Sequence, residues 1–368
     1  MNDLTMVAMS GGVDSSVTAL LLKRQGVEIA GMFMKNWEED DLDGACSAEA
    51  DAADARAVAE MLGIPFHARN FAPEYWDNVF EQFLAELEAG RTPNPDVLCN
   101  REIKFKVFLE HAQDLGAERM ATGHYVRRDR ANDGYRLLKG KDGNKDQSYF
   151  LYMLDQQQLS RACFPVGEMN KSDLRALAAE AGLPTAEKKD STGICFIGER
   201  NYDRFIERYL TGEPGDILTT DNRFLGKHRG LMHYTLGQRR GLGIGGVRGF
   251  SEAPWFVVHK DLPGNRLYVT QDSTDPHLLS SRLTADRLTW ISGHPPDAGR
   301  RLAAKVRYRQ ADQDVVLERL EGDTMALKFT NPQRAVTPGQ SVVLYDGEVC
   351  IGGGIIDSSD RRIPETPS

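Results

Sequence analysis

The sequence lacks the features that would make a zinc knuckle, a disulfide scaffold or a membrane span. Its five cysteines, in 368 residues, are odd in number and scattered over Cys46, Cys99, Cys163, Cys195 and Cys350 without a Cys-x-x-Cys pair. That spacing argues against a disulfide framework and a structural zinc site, makes an iron–sulfur cluster on two of the thiols the lesser reading, and leaves single thiols that are buried or reactive. No apolar run approaches the roughly 18 residues needed to cross a bilayer. The opening MNDLTMVAMS has no basic region leading into an apolar core, so no secretion signal is expected. The expectation is a cytoplasmic protein with no membrane partner. Positive charge is also in deficit, with 45 Lys and Arg against 54 Asp and Glu and a net charge of −9. This disfavours a protein that coats nucleic acid generally, while leaving room for a basic face on one side.

What is present is globular composition, 40% hydrophobic and 27% charged, in a chain long enough for two or three cores. The first part alternates strand-like runs (LTMVAM, VEIAGMFM, IPFHARNF, ERMATGHY) with helical patterns (SSVTALLLKRQG, AEADAADARAVAEMLG, PEYWDNVFEQFLAELEAG, REIKFKVFLEHAQDLG). That alternation predicts an α/β domain with a parallel, Rossmann-like sheet covered on both faces and ligands at the carboxyl ends of its strands. From about Tyr125 a hairpin with a turn at NDG is expected, then two short helices, the second capped around Asn170 and Asp173. A smaller, Gly-rich and basic region follows residue 200. Beyond about 275 short strands and turns predict a small β-barrel, and DSSDRRIPETPS reads as a disordered tail. The expected domains are 1–200, 201–272 and 273–358, with a tail over 359–368.

The first strand runs into SGGVDSS, a Gly-rich turn with three hydroxyls, one acid and no lysine. Strand, glycine turn and helix N-terminus together make an anion site. The pattern is neither GxxxxGK[ST] nor GxGxxG. Ser10, Ser15 and Ser16 can donate to phosphate oxygens, and Asp14 can hold Mg²⁺ against them. A second stretch, TPNPDVLCN, sets Cys99 three residues after Asp96; its prolines and asparagine predict an extended loop that displays the acid and the thiol. A third, DSTGICFIG, carries Cys195 between Ile194 and Phe196. Viewed singly, either cysteine is as readily a core residue.

SGGxDS at the first strand–helix turn resembles the pyrophosphate-binding loop of the ATP pyrophosphatases, which cleave ATP between the α- and β-phosphates and adenylate a carbonyl oxygen. The wider set AMSGGVDSSV, MKNW, PNPDVLCNREIKF, ATGHY, KDQSYFL, DSTGICFIGER, GQRRGLGIGG, VRYRQ and TPGQSVVLYDGEVCIGGG resembles the bacterial tRNA-specific 2-thiouridylases to about residue 357. Ala8 departs from the glycine common there.

This resemblance implies an enzyme that uses ATP, bound at Ala8, Met9, Ser10, Gly11, Gly12, Val13, Asp14, Ser15, Met34 and Gly123, together with Mg²⁺. It implies a target base received at Asn94, Pro95 and Asp96, with Asp96 as acid or base, Cys99 as the catalytic partner and Cys195 as the carrier of persulfide sulfur. It also implies tRNA contacts at His124, Lys145, Asp146, Gln147, Arg307, Tyr308 and Gln340. The implied partners are a tRNA with a wobble uridine and a persulfide donor fed by a cysteine desulfurase; a monomer is expected. Two other readings share the loop without needing both thiols: another adenylating ATP pyrophosphatase, and a non-catalytic nucleotide-sensing RNA-binding protein.

Overall fold

The computed structural model describes residues 4–37, 47–132, 134–190 and 202–365. Cys46, the acidic run from Glu38 to Asp43, and Cys195 with most of its motif lie outside the described residues.

The first region carries β1 (Thr5–Ala8), α1 (Val13–Arg24), β2 (Ile29–Lys35), α2 (Ser47–Leu62) and β3 (Phe66–Asn70). Next, α3 (Ala72–Tyr75) passes through a π-helical turn, Trp76–Phe80, into α4 (Glu81–Glu88). In the same way α5 (Pro95–Leu98) continues through a π-helical stretch, Cys99–Val107, into α6 (Phe108–Asp114). Then come β4 (Arg119–Ala121), the hairpin β5 (Val126–Ala131) and β6 (Gly134–Lys139), α7 (Ser148–Leu151), α8 (Gln156–Arg161), β7 (Ala162–Cys163) and α9 (Lys171–Glu180). The sheet order is β3-β2-β1-β4-β7, all parallel. Alternation along each strand feeds two core layers. Met6, Ala30, Met32 and Met120 face the side with Val97, Cys99 and Phe105, whereas Val7, Ile29, Phe33 and Ala121 pack with α1, α2 and α9.

One local expectation is corrected. The TPNPD segment is not an extended display loop: Asn94 takes extended backbone as the N-cap, its side-chain oxygen accepts from the Asp96 N–H at 3.2 Å, and Pro95 opens the helix. Proline at the first helical position has no N–H to lose and a preset φ. The helix therefore starts four residues before Cys99, and the thiol is 1% exposed.

After α10 (Tyr202–Ile206), the strands β8 (Gly215–Thr219), β9 (Phe224–His228), β10 (Phe256–Asp261) and β11 (Arg266–Thr270) form a four-stranded sheet in the order β10-β11-β8-β9. The last region is the expected barrel. Strands β12 (Leu279–Trp290), β13 (Arg301–Lys305), β14 (Gln313–Glu321), β15 (Thr324–Arg334), β16 (Ser341–Asp346) and β17 (Val349–Ser359) pair antiparallel, and β12 closes on β17. The hairpin of the first region extends this sheet, β6 pairing with β17. The end of the chain is not a loose tail as far as Glu365. Asp360 accepts from the N–H groups of Ser281 and Arg282, the Arg361 guanidinium donates to the Val258 carbonyl, and Asn222 donates to the Glu365 carbonyl.

Candidate active site

The Gly-rich turn leaves β1 at the carboxyl edge of the sheet and winds into α1. Gly11 sits at φ +74°, a conformation that disfavours any side chain, and a Cβ there would lie 2.3 Å from the Asp51 carbonyl oxygen on α2. Gly123, after β4, is pressed against the same helix end: its Cβ would lie 2.8 Å from the carbonyl carbon of Asp14. The Ser15 and Ser16 hydroxyls donate back to the Gly12 carbonyl at 3.0 and 2.9 Å, and the Thr185 hydroxyl donates to Ser16. Ser16 is thus part of the turn's framework, while Ser10 is exposed. The N–H groups of the first turn of α1 face the open end of the helix, where an anion would be favoured.

The lysine missing from the loop comes from elsewhere. Lys171, the first residue of α9, donates to both Asp14 carboxylate oxygens at 2.7 and 2.9 Å, and the Tyr125 hydroxyl donates to one of them at 2.7 Å. Burial and the neighbouring Asp14 charge push the Tyr125 phenol far above its ordinary range, so it stays a donor. Lys171 also pairs with Asp190 at 2.8 Å, and Asp190 accepts from Lys145 and Arg175 at 2.7 and 2.8 Å. Burial opposes the charge on Asp190, but the hydrogen bonds from Lys145 and Lys171 outweigh it and hold the carboxyl well below the usual carboxylate range. No spacing rule joins Asp14 to Lys171 and Asp190; only packing of α9 on α1 does.

On the α2 side of the same strand ends lies a cavity of about 270 Å³, bounded by Phe33, Lys35, Ala52, Ala68 and Asn70. Ala8 ends β1, in register with Met32 of β2, and Ala8 and Met34 face the opposite layer, the one that contains Cys99. On the other side, Cys99 opens the π-helical stretch. π-Helical turns inside α-helices occur disproportionately at functional sites. His124 packs its ring 5.9 Å from Phe105 of that stretch and shares a 2.7 Å hydrogen bond with the Thr122 hydroxyl. Its burial, with the Lys104 charge next, lowers its pKa well below the ordinary value and keeps it neutral. Among the described residues no group of three or more His, Cys, Asp or Glu could hold a metal. Asp14 is the acid of the glycine turn, and Mg²⁺ commonly binds through one or two carboxylates together with substrate phosphates.

The residues expected at tRNA all have internal partners. Asp146 is buried, accepting from the N–H groups of Gly140 and Ser148 and forming an ion pair with Lys305 at 3.1 Å. Gln147 accepts from the Tyr125 N–H at 2.9 Å. Arg307 donates to the carbonyls of Leu236 and Ala335 and to the Thr337 hydroxyl, tying the central region to the barrel. Tyr308 rests on Phe150 with ring centroids 4.4 Å apart. The Gln340 carboxamide donates to the Thr92 carbonyl at 2.7 Å, on the loop that enters α5, and Gly339 packs against the same loop. Asp146, Lys305 and Tyr308 line a second cavity of about 230 Å³.

A doubly covered parallel sheet, with a glycine turn and an acid at its carboxyl edge, defines a nucleotide-binding α/β domain joined to two β modules. Family profiles agree: a tRNA methyl transferase HUP domain matches residues 3–199, a tRNA methyl transferase PRC-barrel domain 203–271, and an aminomethyltransferase beta-barrel domain 280–356. The tRNA-specific 2-thiouridylase MnmA of Pseudomonas entomophila is 57% identical over 359 residues, covering 98% of this chain and 96% of the relative. That of Nitrosomonas eutropha is 58% identical over 354 residues, covering 96% and 98%. The chain belongs to the tRNA-specific 2-thiouridylase family. A solved 4-thiouridine synthetase–RNA complex with bound ATP is 16% identical at a TM-score of 0.36, over 54% of this chain and 46% of that one.

Proposed function

We propose that the protein transfers sulfur to carbon 2 of the wobble uridine of tRNA at the expense of ATP. The observation that carries this reading is the Gly11–Asp14 turn, with Lys171 on Asp14, on the same sheet edge that leads to the Cys99 helix. In this reading the turn and Ser10 hold the departing pyrophosphate, and Lys171 and Tyr125 position Asp14 for Mg²⁺, which would neutralise phosphate charge. The cavity bounded by Phe33 and Lys35 on the α2 side takes the adenine.

A uracil carbonyl is a poor electrophile, so its 2-oxo oxygen attacks the α-phosphorus of ATP and pyrophosphate leaves. The terminal sulfur of a Cys195 persulfide then attacks carbon 2, and AMP departs with the former carbonyl oxygen. The Cys99 thiolate next attacks the Cys195 sulfur, breaking the sulfur–sulfur bond. The products are 2-thiouridine and a Cys99–Cys195 disulfide, which an external thiol must reduce by two electrons. Release of hydrosulfide by Cys99 attack on the persulfide, before sulfur reaches carbon 2, is the second route with the same products. Asp96 serves as acid or base, and Asn94 and Pro95 frame the base. A flipped base needs a protein pocket in either route.

The division of labour we propose gives adenylation to 1–200 and tRNA holding to 201–272 and 273–358, with His124, Lys145, Asp146, Gln147, Arg307, Tyr308 and Gln340 at or behind that surface. A cysteine desulfurase relay is the proposed source of the persulfide. Protein given ATP, Mg²⁺, a persulfide donor and unmodified tRNA should form 2-thiouridine and AMP by mass spectrometry. Cys99→Ser and Cys195→Ser should each abolish the product, and Cys195→Ser should also lose the protein-bound persulfide. Thiouridine formation by both variants would refute the roles of the two cysteines.

A further inference from the structure

Asn36, the residue after β2, is 1% exposed, and among the described residues neither atom of its carboxamide has a hydrogen-bond partner. A buried amide left without partners is costly, and most buried polar groups in folded proteins avoid that state. An apolar side chain at this point would avoid that desolvation loss. Met34 and Trp37, on either side of Asn36, pack into the core layer that contains Val97 and Cys99. Trp37 stacks on Trp76 at 5.8 Å and meets Phe80 at 4.8 Å. The Trp76–Phe80 turn in turn packs against α5 and the Cys99–Val107 stretch. The cavity suited to adenine lies against α2, and its Phe33 belongs to the opposite core layer.

From this placement we infer that Asn36 is a base-reading residue: its carboxamide receives the edge of the flipped uracil, accepting from N3–H and donating to O4. That pairing occupies the edge away from the reaction and leaves the 2-oxo oxygen to the nucleotide. The donor and acceptor of an amide match those of the uracil edge, and pairing would satisfy both orphaned atoms at once. The inference rests on the thiouridylase reading and adds to it the group that holds the substrate base.

The test compares the wild type with Asn36→Leu and the nearly isosteric Asn36→Asp. Asn36→Leu should melt at or above the wild-type temperature and bind ATP equally well by calorimetry, while kcat/KM for tRNA thiolation falls about 10- to 100-fold. Asn36→Asp, which buries an unpaired carboxylate, should melt below the wild type; assayed below its melting point it should keep ATP affinity and lose activity, because a carboxylate cannot donate to O4. A tRNA with N3-methyluridine at the wobble position should bind wild type more weakly than unmodified tRNA, and Asn36→Leu should bind both alike. A lower melting temperature with unchanged thiolation, or a loss of ATP binding in either variant, would overturn the assignment. A wild-type protein that forms no thiouridine refutes the thiouridylase reading itself; an active wild type matched by Asn36→Leu refutes only the role of Asn36.

Discussion

At Gly11 the backbone conformation and the Asp51 carbonyl leave no room for a methyl group. Gly11→Ala should cost at least about 1 kcal/mol in strain and displace the turn from α2, weakening ATP binding in calorimetry while tRNA binding persists. Lys171 acts on the same acid from a different helix, so Lys171→Ala should leave the fold intact and slow AMP formation more than it weakens tRNA binding. A drop in tRNA affinity alone would contradict that placement. Asp146 tests a different point. Its carboxylate is buried with Lys305 as its ion-pair partner, and removing one partner of such a pair typically costs about 3–5 kcal/mol. Asp146→Ala should accordingly shift the denaturation midpoint strongly, and a wild-type midpoint would show that its chief role is surface contact with RNA.

Two elements carry consequences that single residues do not. The loop from Arg91 to Pro93 enters the Cys99 helix held from both β modules: the Thr92 N–H donates to the Pro338 carbonyl at 2.9 Å, Gln340 donates to the Thr92 carbonyl, and the Thr92 hydroxyl meets that of Thr235 at 3.3 Å. Gln340→Ala should therefore lower kcat as well as tRNA affinity, a split visible in steady-state kinetics. The central sheet carries a pH dependence. Burial, then the Arg361 charge, push His259 down from 6.5 to about 4, and burial also lowers His228. The unfolded chain takes up protons at these histidines first, so stability is full above about pH 6.5 and declines as pH falls from 6.5 toward 4. Thermal melts across that range should show the decline, with a shallower slope for His259→Gln.

For the whole molecule, the parallel sheet and the barrel were legible because a strand–helix alternation and a run of short strands each permit few architectures. The carboxyl edge was legible for the same reason, since it follows from parallel strands. The start of the Cys99 helix was not, because Pro95 and Asn94 suit both a loop and a helix cap. Lys171 and Asp190 were invisible because tertiary packing alone brings α9 to Asp14. The packed end of the chain was missed because its polar residues bond to backbone groups of β10 and β12, which no local pattern reveals. In the proposed reaction, ATP activates the 2-oxo oxygen of uridine for displacement by sulfur. The most direct measurement uses tRNA with oxygen-18 at carbon 2 of the wobble uridine, followed by mass spectrometry of the nucleotide products. The account predicts that the label leaves in the phosphate of AMP, one heavy atom per thiouridine formed. Unlabelled AMP beside thiouridine, or ADP and phosphate in place of AMP and pyrophosphate, would contradict it.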